Sequence, residues 1–341
     1  KILKDLEVPL NKKIRLIFGT NEETNWGCMN YYFKHEEAPD IGFTPDANFP
    51  VIHGEKGIIN FDLVQKLNSN SCGNIVLESV EGGNAPNMVP DYCTAILKVK
   101  SDDIFAIEEK FNSYIKNTEY PLSIEIKDDR IKISGEGISA HGSTPEKGHN
   151  AISYVMKFLG EVLNGDCDVC KFIKVYNDRI AFKHHGEGIG CGFKDEISGK
   201  LSFNPGVIEG NKDEIKLTIN VRYPIKSSSK EVYDGIRENL KDTNVKLIER
   251  DGESKPLYMP KDHPLVEKLM KVYKEATGDI DSEPITIGGG TYARAMDNAV
   301  AFGPVFPGQK ELAHQKDEYI SIDNLMKLTE IYARALYELT R

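Results

Sequence analysis

Glu22 and Glu23 stand side by side in the stretch FGTNEETNWG, residues 18–27, directly after the apolar run IRLIF at 14–18. Two carboxylates held that close repel each other unless they face open water or a cation. Adjacent glutamates are ordinary in a chain that is 28% charged, and Glu36-Glu37 and Glu108-Glu109 read as solvated faces. The first pair differs in its position. The pattern predicts a strand over 14–18 and a helix over 25–35, so the pair falls at the C-terminal end of a strand, where open α/β sheets bind ligands. Asp46 follows a second predicted strand at 41–43, and His314 sits in the loop 309–314 ahead of the last predicted helix. Carboxylate oxygens and an imidazole nitrogen gathered on one sheet edge suit Zn²⁺, Mn²⁺ or Co²⁺. The competing reading is a set of solvated surface acids.

Three further features carry candidate chemistry, each with a plainer alternative. His141 lies in ISAHGSTP, a loop of small residues that gives it little packing; it is either a surface histidine or a donor held out to reach a ligand. Arg222 ends a strand in which Ile215, Leu217, Ile219 and Val221 face one way, sending Lys216, Thr218, Asn220 and Arg222 to the polar side, ordinarily the wet face of a sheet. Gly288-Gly289-Gly290-Thr291 joins a strand to a helix, where backbone N–H groups can hold an anion. It lacks the Gly-Lys-Ser/Thr ending of a nucleotide loop, and a tight turn is the alternative. Cys167 and Cys170 form one CxxC with no second pair; with His184, His185 and Cys191 following, the choice is between a small zinc site and plain thiols.

The elements that must position these groups fall into two styles. Residues 1–67 and 256–341 carry short strands and helices: a helix at 263–276, a strand at 284–287, a short helix at 291–297, a strand at 299–303 and a terminal helix at 322–338 with Leu325, Leu328, Tyr332, Ala335 and Leu339 on one stripe. Residues 68–255 read as two tandem β-β-α-β units, with strands near 75–81, 92–99, 122–127 and 130–135 around a helix at 101–117, then strands near 201–209, 214–223 and 244–249 around a helix at 229–240. The expectation is an α/β domain with a mostly parallel sheet flanked by helices, interrupted by an α+β domain of two ferredoxin-like halves.

A length of 341 residues suits about two domains, and 40% hydrophobic residues suffice for real cores. The formal charge of −10 repels phosphate backbones, which argues against nucleic acid as a partner. No run approaches the ~18 apolar residues that span a bilayer. Six cysteines in a chain this long do not suggest a disulfide framework, and a reducing, cytoplasmic setting is expected. The text begins at Lys1 without Met, and is read as lacking an N-terminal segment.

Taken in order, GTNEETNWG, FTPDANFP, GGNAPNMVPD, SAHGSTPEKGHNA, GGGTYARA and the late histidine resemble the dinuclear-metal peptidases of the aminoacylase and carboxypeptidase superfamily, and within it the bacterial dipeptidase V (PepV) type. The resemblance runs over nearly the whole chain. It implies a catalytic domain with two divalent metals, zinc first with manganese or cobalt as alternatives, and an inserted lid whose duplication makes a monomer the expected state. It implies that Glu22 is the general base, that Glu23 and His314 share one metal, and that Asp46 holds the other. Asn87 and His141 match lid groups that stabilise the tetrahedral intermediate, while Arg222, Gly289 and Gly290 match those that clamp the free carboxylate of a small peptide. The family's first histidine ligand and two aspartates lie upstream of the matching glutamate pair, so this chain carries part of the ligand set. The implied activity is a metal-dependent dipeptidase cutting short unblocked peptides; an N-acyl amino acid deacylase and a non-catalytic remnant of the fold are the alternatives.

Overall fold

Gly57–Lys66 places Ile59, Phe61 and Leu63 on one face and Asn60 and Asp62 on the other, and it folds as a strand whose apolar row is buried. It pairs antiparallel with Glu214–Tyr223 along its whole length, Gly57 opposite Tyr223 and Lys66 opposite Glu214. The computed structural model describes residues 2–22, 26–310, 312 and 317–341. The chain divides into two units, Lys1–Lys56 with Lys255–Arg341, and Gly57–Ser254. The boundary expected at residue 67 therefore lies at 56, because the long ladder takes 57–66 into the second unit.

In the second unit one sheet runs Lys246–Glu249, Gly57–Lys66, Glu214–Tyr223, Ser202–Gly210, Ile75–Gly82, Tyr92–Val99, Arg130–Glu136, Leu122–Lys127, and the short Ser71–Cys72 adds to Ile75–Gly82. Every pairing is antiparallel. The two halves join where Ile208–Gly210 meets Val80–Gly82. The place that Arg130–Glu136 takes in one half is taken in the other by Gly57–Lys66, which enters from the far end of the sequence. Helix Ala151–Val162 is apolar on nearly every side and is buried accordingly, with Asn150 capping its start through the Ser153 N–H at 3.3 Å. Its Val155 and Phe158 share one buried core with Leu97, Ile133 and Phe111.

The first unit has a smaller sheet in the order Gly42–Thr44, Ala299–Ala301, Ile52–Glu55, Leu257–Tyr258, with Ile285–Ile287 also on Ile52–Glu55. It is mixed rather than mostly parallel: two pairings are parallel and two antiparallel. The few residues between Thr44 and Ile52 cannot supply the crossover of about a dozen residues that keeps strands parallel. Helices Pro264–Thr277 and Ile322–Thr340 cover this core through Leu265, Leu269 and Tyr273, and through Leu328, Ile331, Ala335 and Leu339. Leu325, placed on the buried stripe by its spacing, is exposed, and Ile331 is buried in the stripe instead.

Residues 14–18 form no strand, and Leu16 and Phe18 are 71% and 86% exposed. An apolar run becomes a strand only when another strand pairs with it, and among the described residues none does. The segment is tied instead by Arg15 Nη1, which donates to the Glu37 carbonyl at 2.6 Å. No helix among the described residues is long and apolar enough to cross a membrane.

Candidate active-site residues

In the first unit Glu22 follows an unpaired segment rather than a strand, and local contacts fix its backbone. Trp26, at φ 53°, donates its indole N–H to the Glu22 carbonyl at 2.6 Å, and Asn21 Oδ1 accepts from the Cys28 N–H at 3.0 Å. Tyr292 closes over this corner. Its ring meets Trp26 edge-on at 5.7 Å, its hydroxyl lies 3.0 Å from Cys28 Sγ, and a Cβ on Gly19 would come within 2.2 Å of its oxygen. The Tyr292 hydrogen bond brings the Cys28 thiol down to about 7, while burial, helped by that thiol, pushes Tyr292 up to about 12. Spacing gave no sign of this pair, since Cys28 reads as one of six scattered thiols.

Asp46 is exposed between the strands Gly42–Thr44 and Ala47–Asn48. Its segment is held by backbone bonds on both sides: Phe302 N–H to Thr44 at 2.9 Å, Ala47 N–H to Gly303 at 2.7 Å and Phe49 N–H to Val305 at 2.7 Å. Glu23 and His314 lie outside the described residues.

The glycine turn is built around a buried ion pair. Arg294 donates through Nε to Glu55 at 2.5 Å and through Nη2 to the carbonyls of Gly289 at 2.7 Å and Lys56 at 2.6 Å. Glu55 also accepts from the Thr291 hydroxyl at 2.7 Å and the Thr291 N–H at 3.2 Å. The two charged side chains are 0% and 5% exposed. Charge-assisted bonds of this kind are the strong ones in a dry interior, so they hold Gly289 and Gly290 in one conformation. One backbone N–H at the start of the short helix is already taken by the chain's own carboxylate. Neither Glu55 nor Arg294 stood out in the sequence, although the arginine lies inside GGGTYARA.

In the second unit Asn87, His141 and Arg222 are brought together at Gly142. His141 bridges antiparallel to Met88, and the Gly142 N–H donates to the Asn87 carbonyl at 2.7 Å. A Cβ on Gly142 would stand 2.9 Å from that carbonyl oxygen and 3.2 Å from Asn220 Oδ1, so a side chain there would press on both segments. Asn220 Oδ1 in turn accepts from Arg222 Nε at 2.9 Å, and its Nδ2 donates to Asn60 at 2.9 Å. Ser202, facing Arg222 across the ladder, donates to the Ser143 carbonyl at 2.7 Å; the Ser143 hydroxyl lies 2.6 Å from His141 Nδ1. Asn204 donates to the carbonyls of Pro86 and Met88, both at 2.8 Å, pinning the Asn87 loop.

The polar side of Glu214–Tyr223 is not wet: Thr218, Asn220 and Arg222 are 2%, 1% and 5% exposed. They are buried as a hydrogen-bonded row, Thr218 donating to Asp62 at 2.7 Å and Arg250 reaching Asp62 at 2.9 Å. Alternation identifies a polar face but not whether something covers it. Asn87 and His141 are exposed.

Among the described residues, Asp46 belongs to no group of three or more His, Cys, Asp or Glu side chains with converging ligand atoms. Its oxygen chemistry fits a hard or borderline divalent cation, but the described residues alone do not complete such a site. A model of peptidase family M20/M25/M40 matches residues 1–338. The chain belongs to that family. Family membership makes it a hydrolase of peptide bonds and implies divalent metal cofactors. It is 39% identical over 346 residues to "Putative dipeptidase YtjP" of Bacillus subtilis (strain 168), covering 100% of this chain and 72% of the relative. With "Putative dipeptidase SH1171" of Staphylococcus haemolyticus (strain JCSC1435) it shares 38% over 342 residues, 99% of this chain and 72% of the other. Among solved structures, the aminoacylhistidine dipeptidase from Vibrio alginolyticus aligns with 14% identity and a TM-score of 0.46, over 89% of this chain and 66% of that one. Human carnosine dipeptidase 1 aligns with 12% identity and a TM-score of 0.39, over 88% and 59%. This M20 chain thus spans just under three quarters of the curated relatives' length and less than two thirds of those two structures'.

Proposed function

We propose that this chain is a metal-dependent dipeptidase that hydrolyses short peptides with a free C-terminal carboxylate. Support from the comparisons is family membership together with the names of relatives that match nearly all of this chain. The structural observation that carries the residue-level reading is the convergence of Asn87, His141 and Arg222 around Gly142.

In this reading Glu22 takes a proton from the attacking water and passes it to the leaving amine as the C–N bond breaks, the hydroxyl going to the acyl carbon. His141, with Asn87 beside it, donates to the developing oxyanion. If the Ser143 hydroxyl donates to Nδ1, the neutral ring carries its proton on Nε2, the form that role needs. Arg222, oriented by Asn220, pairs with the substrate carboxylate, and Gly289 and Gly290 offer backbone N–H groups to it. Asp46, with Glu23 and His314, would hold two divalent ions, zinc first, which supply Lewis acidity when bound.

The test uses Arg222→Ala against a dipeptide and its C-terminal amide. The variant is expected to slow the free dipeptide far more than the amide, because the amide has no anion to lose. Equal slowing of both would remove the carboxylate clamp from the reading and with it the main support for dipeptides over other substrates.

A further inference from the structure

Three cysteines from two segments of the second unit bring their sulfurs together. Cys72 ends the short strand Ser71–Cys72, which folds back on Ile75–Gly82. Cys167 is the capping residue of helix Asp168–Arg179 and Cys170 lies in its first turn, so the CxxC spacing turns both sulfurs to the same end of the helix. The three Sγ atoms all lie within 4.8 Å of one another, with Cys167 and Cys170 2.7 Å apart. We propose that Cys72, Cys167 and Cys170 bind a soft, thiophilic divalent cation, Zn²⁺ foremost, as a structural staple separate from the catalytic metals.

Ligand number argues for this over a disulfide. A disulfide uses two sulfurs and leaves the third idle, whereas thiolate sites for zinc draw three or four ligands, with CxxC as the recurrent spacing. Sulfurs on one tetrahedral zinc stand about 3.8 Å apart, from a Zn–S length of about 2.3 Å, which falls inside the observed cluster and asks Cys167 and Cys170 to part by about one ångström.

The scaffold is held on both sides. Gln65 donates to the Asp168 carbonyl at 2.6 Å, and Asn68 donates its N–H to the Asp168 carboxylate at 2.8 Å, fastening the helix start to the end of Gly57–Lys66. A Cβ on Gly165 would fall 2.7 Å from Cys72 Sγ, so glycine leaves that sulfur its space. The helix N-terminus favours a thiolate cluster. Binding a metal through thiolates displaces thiol protons, so loading tightens as pH rises. His184, His185 and Cys191, the partners that sequence proximity suggested, are not members: His185 Nδ1 lies 3.0 Å from the Leu201 carbonyl, and Cys191 is buried elsewhere in the core.

Cobalt reads the site directly, because thiolate ligands give intense sulfur-to-cobalt absorption in the near ultraviolet that oxygen and nitrogen ligands do not. Reduced protein titrated with Co²⁺ is expected to develop that band with one equivalent, to lose it in Cys72→Ser and to keep it in Cys28→Ser. Should the serine variant fold poorly, wild-type protein decides: Zn²⁺ should protect Cys72, Cys167 and Cys170 from iodoacetamide, read by peptide mass, and leave Cys28 reactive. The proposal is overturned by reduced protein that shows no sulfur band, by protection that does not single out these three cysteines, or by a Cys167–Cys170 disulfide that binds no cobalt once reduced.

Discussion

The two units bury charge in opposite ways. In the first, Glu55 and Arg294 are sealed together, and the arginine's remaining donors go to backbone carbonyls of the chain around it. In the second, charge is spread along a sheet: Asp62 bonds a threonine and an arginine that is 39% exposed, and Arg222 is steered by a neutral amide. A sealed pair satisfies itself and acts as a clamp on the backbone. In the sheet, a neutral amide sets the direction of the Arg222 guanidinium, so the contact orients the side chain and does not clamp the backbone.

Breaking each arrangement should expose the difference, and the sealed pair should cost most. Glu55→Gln leaves Arg294 buried without its counter-charge, which typically destabilises by about 3–5 kcal/mol. Denaturant unfolding should show that loss, and activity should fall more toward the free dipeptide than toward its amide, since the loosened glycine turn is the one proposed to hold the carboxylate. A cost under about 1 kcal/mol, the range of exposed pairs, would mean that the pair is not the clamp described.

Asn220→Ala makes the corresponding cut in the second unit. It removes the hydrogen bond to Arg222 and the one to Asn60, and a bond to a charged group contributes about 1.5–3 kcal/mol. The more telling readout is kinetic: KM for free dipeptides should rise while the amide is little affected, a weaker copy of Arg222→Ala. Were Asn220→Ala to lower stability and leave the ratio of dipeptide to amide unchanged, the amide would be packing material and not a steering group.

Sequence patterns carried the second unit further than the first, for a physical reason. A strand such as Glu214–Tyr223 is a long, regular alternation, and its period survives whatever it packs against. The strands described in the first unit have two to four residues, too short to show a period, and the apolar run IRLIF pairs with no strand among the described residues. Motifs singled out Asn87, His141 and Arg222, but the glycine and asparagine that join them lie on different segments and follow no spacing rule. Glu55 and Arg294 are 239 residues apart, and Cys72 stands far from the CxxC that it joins. Such pairings are set by the fold, so neither member's neighbours in the chain announce them.

The smallest effect concerns a single proton and contrasts one cysteine in each unit. Cys28 is brought from its ordinary value down to about 7 by the Tyr292 hydroxyl, whereas burial pushes Cys191 up to about 12. The thiolate is the reactive form, so the rate at which Cys28 is alkylated should rise through pH about 7, near two pH units below an ordinary thiol, and Cys191 should stay inert over the same range. Tyr292→Phe keeps the ring against Trp26 and removes only the hydroxyl. With the thiolate no longer favoured by that bond, the midpoint should move up toward 9.0 and alkylation at neutral pH should slow. The sign is decisive, because loss of packing would open the corner and speed the reaction. A midpoint that stays near 7 in Tyr292→Phe would show that the hydroxyl is not what charges Cys28, and that the corner beside Glu22 owes its electrostatics to another group.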